Sequence, residues 1–287
     1  MSRYLDPRSD IVFKRVFADH LHLLKSFLNA VLPLPPDGQI VSIEHLYPEQ
    51  APQIPVLKRP IVDVKCKDQK GRIFLTEMQM EWSTAFMQRM LFNSSQAYIK
   101  QLRKGEDYHS LCPVYSLAIL NERFDKTESW YHHYQIVNIE QPKRQLEGLE
   151  FVFVELPKFT PATWRERKLA VLWLRFLSEI QDNTTQIPAE LLEVPELREA
   201  CELAEESAYT EAELARYQDY WDLVSRERTL MSGSEEKGLA QGRAEGLVEG
   251  QQAERLAIAK QLKDKGRLTV QEIVEMTGLS STEIGAL

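Results

Sequence analysis

The sequence predicts an α/β fold with a mixed central sheet, followed by a helical C-terminal extension. Three observations carry that prediction. Residues 61–80 alternate apolar and polar side chains on either side of a glycine-containing turn, the pattern of a β-hairpin. Residues 113–121 and 150–156 are short apolar runs bounded by turn residues, the pattern of buried strands. Helical periodicity occupies 10–32 and 84–104, ahead of those strands, and most of the chain beyond Pro161.

In residues 10–32, Phe13, Val16, Phe17, Leu24, Phe27, Leu28 and Val31 recur at helical spacing, with a break near Asp19. Asp10 falls in the first turn, where a carboxylate faces the positive end of the helix dipole. Pro33 to Gly38 end the helix, a strand follows at about 40–47, and a proline-rich loop leads to Pro60. In the hairpin Val62, Val64 and Cys66 alternate with Asp63, Lys65 and Lys67. Across the turn Phe74, Thr76 and Met78 alternate with Leu75, Glu77 and Gln79.

The length of that turn decides the chemistry. A three-residue loop Gln69-Lys70-Gly71, with Gly71 left-handed, pairs Asp68 with Arg72 and therefore Asp63 with Glu77. The two carboxylates and the Gln79 amide then share one face. A two-residue loop pairs Asp63 with Thr76 and turns Glu77 to the other face. The helix over 84–104 is expected to end at a Gly105 cap, with Arg89 and Gln96 on one side of it. Buried strands at 113–121 and 150–156, with a short strand at 134–139 between them, complete the sheet.

Beyond Pro161 three helices are expected, at 162–182, 188–206 and 210–230, the last two acidic. Gly238, Gly242, Gly246 and Gly250 then form a four-residue repeat. Glycine costs about 1 kcal/mol at a helical site relative to alanine, so the repeat calls for a reason. Close approach of a second helix is one, and a flexible, partly helical linker is the other. Residues 253–287 read as a small helical module with capping boxes at Thr269-x-x-Glu272 and Ser280-x-x-Glu283. A helix–turn–helix and a structural or oligomerisation role both fit it. The expected divisions are a core at 1–160, a helical extension at 161–232, the glycine-repeat segment at 233–252 and the module at 253–287.

Composition excludes several classes. Hydrophobic residues make up 43% of the 287, as in a folded globular protein. Cys66, Cys112 and Cys201 form no CxxC, and His132-His133 lacks a metal-ligand partner at usable spacing, so no disulfide scaffold or zinc site is expected. Met1 to Arg8 contain no apolar signal segment and no stretch approaches a membrane span, which leads to the expectation of a cytoplasmic protein. The net charge is −8, but residues 58–104 hold ten Lys/Arg against four Asp/Glu, a local +6 that would suit a phosphate backbone or simply solvated strand edges.

Two carboxylates side by side repel unless a cation lies between them, and hard oxygen ligands favour Mg²⁺. From the residues alone two readings stand: a metal site for phosphodiester cleavage, and a strand face with ordinary surface charges.

Asp63 followed by Glu77-x-Gln79 resembles the Asp…(Asp/Glu)-x-Lys core of PD-(D/E)XK nucleases. More specifically, four stretches are similar to the recombination-promoting nuclease (Rpn) family, also described as PD-(D/E)XK transposases. They are Asp10 to Phe17, Asp63-Val64, Glu77-Met78-Gln79, and Gln101 to Tyr108 leading into Pro113-Val114, and they span roughly the first half of the chain. Val62 stands where the motif has proline, and Gln79 where it has lysine.

The resemblance implies a restriction-endonuclease-like core and a Mg²⁺-dependent DNA endonuclease linked to recombination or transposition. Asp63 and Glu77 would hold the metal, with Asp10 either a third carboxylate or a helix-end charge. Gln79 would hydrogen-bond water or phosphate, and Lys65, on the same face as Asp63, would supply the missing cation. Lys14, Arg89, Gln96, Lys100, Arg103 and Lys104 would face DNA. The alternatives are a catalytically weak nuclease-fold DNA-binding protein and an interaction protein that assembles as a homo-oligomer through its C-terminal helices.

Overall fold

A computed structural model of the chain describes residues 3–46, 63–80, 83, 85–161 and 168–287. The proline-rich stretch to Pro60, Lys58, Arg59, Val62, Glu81 and the first residues of the 162–182 helix lie outside the described residues. The chain divides into two compact units, Met1–Ser225 and Arg226–Leu287.

In the first unit α1 (Asp10–Phe17) and α2 (Leu21–Val31) are separated at the expected break. Six strands follow: β1 (Ile43–His45), β2 (Val64–Asp68), β3 (Ile73–Gln79), β4 (Val114–Leu120), β5 (Tyr131–Val137) and β6 (Gln145–Glu155). They form one sheet in the order β1-β2-β3-β4-β6-β5. β3, β4 and β6 run parallel, while β1, β2 and β5 pair antiparallel to their neighbours, so the sheet is mixed. The helix α3 (Ala85–Ile99) makes the crossover between the parallel strands β3 and β4, as a parallel connection requires.

The pleat sorts the core. Phe74, Tyr115, Leu117, Ile119, Val152 and Val154 face the larger apolar cluster, with α1, α2, α4 (Lys168–Glu179) and α6 (Pro195–Leu203). Trp173 of α4 is fully buried there against Phe17 and Phe27. On the opposite face Ile73, Leu75, Val114, Ala118, Leu120 and Phe153 pack beneath Phe86, Met90 and Ala97 of α3. Every residue of β4 is buried, as its apolar sequence requires of a strand covered on both sides.

Several boundaries differ from expectation. α3 ends at Ile99, not near Lys104, and the chain leaves through Tyr98–Gln101 and Ile99–Leu102 turns. The cause is Gln101, whose side-chain amide donates to the Cys112 carbonyl and accepts from the Cys112 N–H at 2.9 and 3.0 Å. Gly105 is left-handed, but it turns the loop between Arg103 and Glu106 and does not cap the helix. β5 begins earlier than the expected 134–139 strand and β6 extends to Gln145, with a bulge where Gln135 passes to Ile136. The expected 188–206 helix is two pieces, α5 (Ala189–Leu192) and α6, with Pro195 opening the second.

α7 runs from Glu211 to Asp264, so the four repeat glycines are helical rather than a flexible linker. In the second unit α8 (Val270–Thr277) and α9 (Ser281–Ala286) carry both expected capping boxes, and Gly278 ends α8 left-handed. Ala259, Ile273, Leu279 and Ile284 close a small apolar cluster between them and α7. No helix among the described residues is long and apolar enough to cross a membrane. The three cysteines are free.

Candidate active site

The hairpin takes the three-residue turn. Gly71 has φ +79°, and a Cβ placed there would stand 2.9 Å from Cys112 Sγ, so the position needs glycine for conformation and for space. The Asp68 N–H donates to the Arg72 carbonyl at 3.1 Å. The Asp68 carboxylate accepts from the Lys70 and Arg72 N–H groups and grips the Arg72 guanidinium at 2.8 and 2.6 Å. Val64 then pairs with Thr76, and one further step sets Asp63 across from Glu77. The alternative register, with Asp63 opposite Thr76, is excluded.

Glu77 is buried on the α3 side of the sheet. Its Oε1 accepts from Asn93 Nδ2 at 3.1 Å, and its Oε2 lies 3.5 Å from Arg89 Nη2. The same Arg89 Nη2 donates to Gln79 Oε1 at 2.6 Å. Arg89 is held over the Phe86 ring, 4.8 Å from its centroid, while its side chain remains 45% exposed. Asp63, just before β2 and partly buried, accepts from the Met78 N–H at 2.6 Å through Oδ2. Both carboxyls therefore lie at the end of the hairpin where β3 leads towards α3.

Their electrostatics follow from that placement. Burial pushes the Asp63 carboxyl up to about 6; the Asp10 charge adds to it, and the Met78 N–H, Lys14 and Arg89 oppose it. Burial also raises Glu77, to about 7, with the Asp63 charge adding and Arg89 and Asn93 opposing. Two neighbouring acids that resist ionisation gain most from an added cation. Among the described residues no group of three or more His, Cys, Asp or Glu side chains is placed to hold a metal. What this site offers is two carboxylates with an amide beside them, a donor set that suits Mg²⁺, which takes one or two carboxylates and fills the rest of its shell with water and phosphate.

The other predicted residues divide. Asp10 ion-pairs with Lys14 one turn along α1, at 2.6 Å; both are about half exposed and both act on Asp63 through space. Asp10 thus borders the pair without completing a three-carboxylate cluster. Lys65 stands across β2–β3 from Leu75, and the cation brought to Glu77 and Gln79 is Arg89 in its place. Gln96 is partly buried, on the same stripe of α3 as Arg89 and Asn93. Lys100, Arg103 and Lys104 are exposed beyond the helix end.

Part of the basic window serves the fold and not a ligand: Arg72 is buried with Asp68, Lys67 pairs with Glu44 at 2.6 Å, and Lys70 Nζ donates to the Asp37 carbonyl at 2.7 Å. Asn93 was missed from sequence, although its spacing of four from Arg89 places it on the same side of a helix.

A family model for PD-(D/E)XK nuclease family transposases matches residues 7–226 of the chain. No curated protein and no solved structure matches it.

Proposed function

Because the chain belongs to the PD-(D/E)XK nuclease family transposases, we propose that it is a metal-dependent DNA endonuclease, with Mg²⁺ as the expected ion. The observation that carries this is the placement of Asp63 beside Glu77 at the end of the hairpin, one step beyond the Val64–Thr76 pair, both with proton affinity raised by burial. Asp63 and Glu77 would hold the metal, which when bound lowers the pKa of water and offsets charge on the scissile phosphate.

The rest is this chain's own work. Asn93 favours the ionised form of Glu77 against its burial and orients it from the helix side. The Met78 N–H does the same for Asp63. Gln79 presents an amide that hydrogen-bonds without supplying charge. Lys100, Arg103 and Lys104, exposed past the end of α3, would carry the DNA backbone.

A second reading is favoured by one feature. Glutamine stands where the nuclease core has lysine, which suits a protein of this fold that binds DNA with little cleavage. One experiment separates the two: supercoiled plasmid incubated with the pure protein, with and without Mg²⁺, beside Asp63→Ala. Nicking that needs both the metal and Asp63 supports the endonuclease. Tight plasmid binding with no nicking in any divalent metal supports the second reading.

A further inference from the structure

We propose that Arg89 fills the role for which the nuclease core has a lysine, acting first as counter-ion to Glu77 and then as the cation on the scissile phosphate. This rests on the reading of the site as a phosphodiester-cleaving centre.

The geometry assigns the role. One nitrogen, Arg89 Nη2, lies 3.5 Å from Glu77 Oε2 and 2.6 Å from Gln79 Oε1. A lysine at position 79 would bring its charge to this same spot from the strand; here the charge comes from the helix and the strand supplies the acceptor. Glutamine at 79 is therefore more than a missing lysine. Its carbonyl oxygen aims the guanidinium, and a lysine beside Arg89 would repel it.

Arg89 is also built to change partners. It packs over the Phe86 ring, its Glu77 contact is long at 3.5 Å, and its side chain is 45% exposed, so the fork is reachable from solvent. Asp63 and Glu77 are the carboxylates that would hold a divalent cation, and Glu77 would then give up Arg89 as its counter-ion. The displaced guanidinium keeps Gln79 as a pivot and has N–H donors matched to phosphate oxygens.

The test compares the wild-type protein with Arg89→Ala, Arg89→Lys and the double variant Arg89→Ala/Gln79→Lys. Three quantities are read: melting temperature, Mn²⁺ affinity by calorimetry without DNA, and single-turnover plasmid cleavage in Mg²⁺. Arg89→Ala should keep its melting temperature and, at a pH alkaline enough to ionise Glu77 in both proteins, bind Mn²⁺ at least as tightly as the wild type, because a competing cation is gone. Its cleavage should fall by about 100-fold, the scale of losing one charged group aimed at a developing anion. Arg89→Lys should fall less. The double variant should regain at least tenfold over Arg89→Ala, since the cation is restored from the strand.

Cleavage by Arg89→Ala equal to wild type overturns the proposal. So does loss of Mn²⁺ binding together with cleavage, which would make Arg89 a scaffold for the carboxylates. A double variant no better than Arg89→Ala overturns the equivalence with lysine. A wild-type protein that does not cleave sinks the nuclease reading and this proposal with it, whereas a wild type that cleaves beside an equally active Arg89→Ala sinks this proposal alone.

Discussion

Asp68 and Arg72 clamp the mouth of the β2–β3 turn with two side-chain bonds, at 2.8 and 2.6 Å, and both are buried. Five residues up each strand stand Asp63 and Glu77, so this pair decides whether the two acids meet. Arg72 also donates to the Gly38 carbonyl at 2.6 Å, tying the hairpin to the segment before β1. Asp68→Ala leaves a buried guanidinium short of its partner and should cost roughly 3–5 kcal/mol. Denaturant unfolding checks the stability loss. Cleavage measured on the fraction still folded should fall as well, because the register loses its lock; a destabilised variant with wild-type cleavage per folded molecule would separate the clamp from the site.

Asp63→Asn and Glu77→Gln should each abolish metal-dependent cleavage while leaving the metal-free protein at pH 8 as stable as the wild type or more so. Each removes a carboxyl whose proton affinity burial raises, and Asp63→Asn also removes the charge that raises Glu77 further. Asparagine at 63 keeps an oxygen for the Met78 N–H. Melting curves in chelator, run beside the cleavage assay, are the check. A large drop in melting temperature would mean that the carboxylates serve the fold.

The same raised values set a pH dependence. Unfolded, the two carboxyls ionise near their ordinary 3.8 and 4.5; folded, they hold their protons to about 6 and 7. Between those limits the folded state binds more protons, so stability falls as pH rises from about 4 to about 7 and then levels. For either group the full loss is roughly 3 kcal/mol. Asp63→Asn should flatten its share of the curve. Saturating Mg²⁺ should reverse the slope, since the metal binds the ionised pair, and chelator should restore it.

Much of the fold was legible because its signals are local. Strict alternation marks β2, a mostly apolar run broken only by Ser116 marks β4, and the Gly71 turn has a limited set of geometries. The pairing of Asp63 with Glu77 followed from counting once a three-residue turn was taken over a two-residue one. What the sequence did not disclose depends on distant partners. The end of α3 is decided by Gln101 bonding Cys112 across a loop. The choice of Arg89 over Lys65 depends on which face of α3 lies against β3. The polar start of β6 has no strand pattern of its own and forms against β5. Glycines in α7 lower helix propensity, but the surrounding Ala, Glu, Gln and Arg carry the helix through them.

Replacing Lys100, Arg103 and Lys104 together with alanine should weaken binding to all DNA sequences and reduce its salt dependence. All three are exposed just past the end of α3, the helix that positions Arg89 and Asn93. Each phosphate that is no longer neutralised takes about 0.9 from the slope of log affinity against log salt. Binding isotherms at several salt concentrations give that slope directly. An unchanged slope would move the DNA path elsewhere, and Lys14, on the α1 side of Asp63, would become the first residue to test.

Asn93 gives the most selective test of the site, because it bonds the Glu77 carboxylate and is itself an uncharged amide. Its Nδ2 donates to Glu77 Oε1 at 3.1 Å, and this bond holds the Glu77 carboxyl below where burial alone would put it. Asn93→Leu has similar volume and removes the donor. Glu77 should then keep its proton to higher pH, so both Mn²⁺ affinity and cleavage should need a more alkaline solution to reach their plateaux. At pH 7 the loss should be roughly 1–3 kcal/mol of transition-state stabilisation, the scale of an unmade hydrogen bond to a buried charged group. At pH 9 most of it should return, since Glu77 is ionised again. Asn93→Asp should behave differently, because a third carboxylate in that pocket raises Glu77 further and introduces a new acid. A cleavage profile for Asn93→Leu lowered equally at every pH would mean that Asn93 shapes the pocket and does not hold Glu77 ionised.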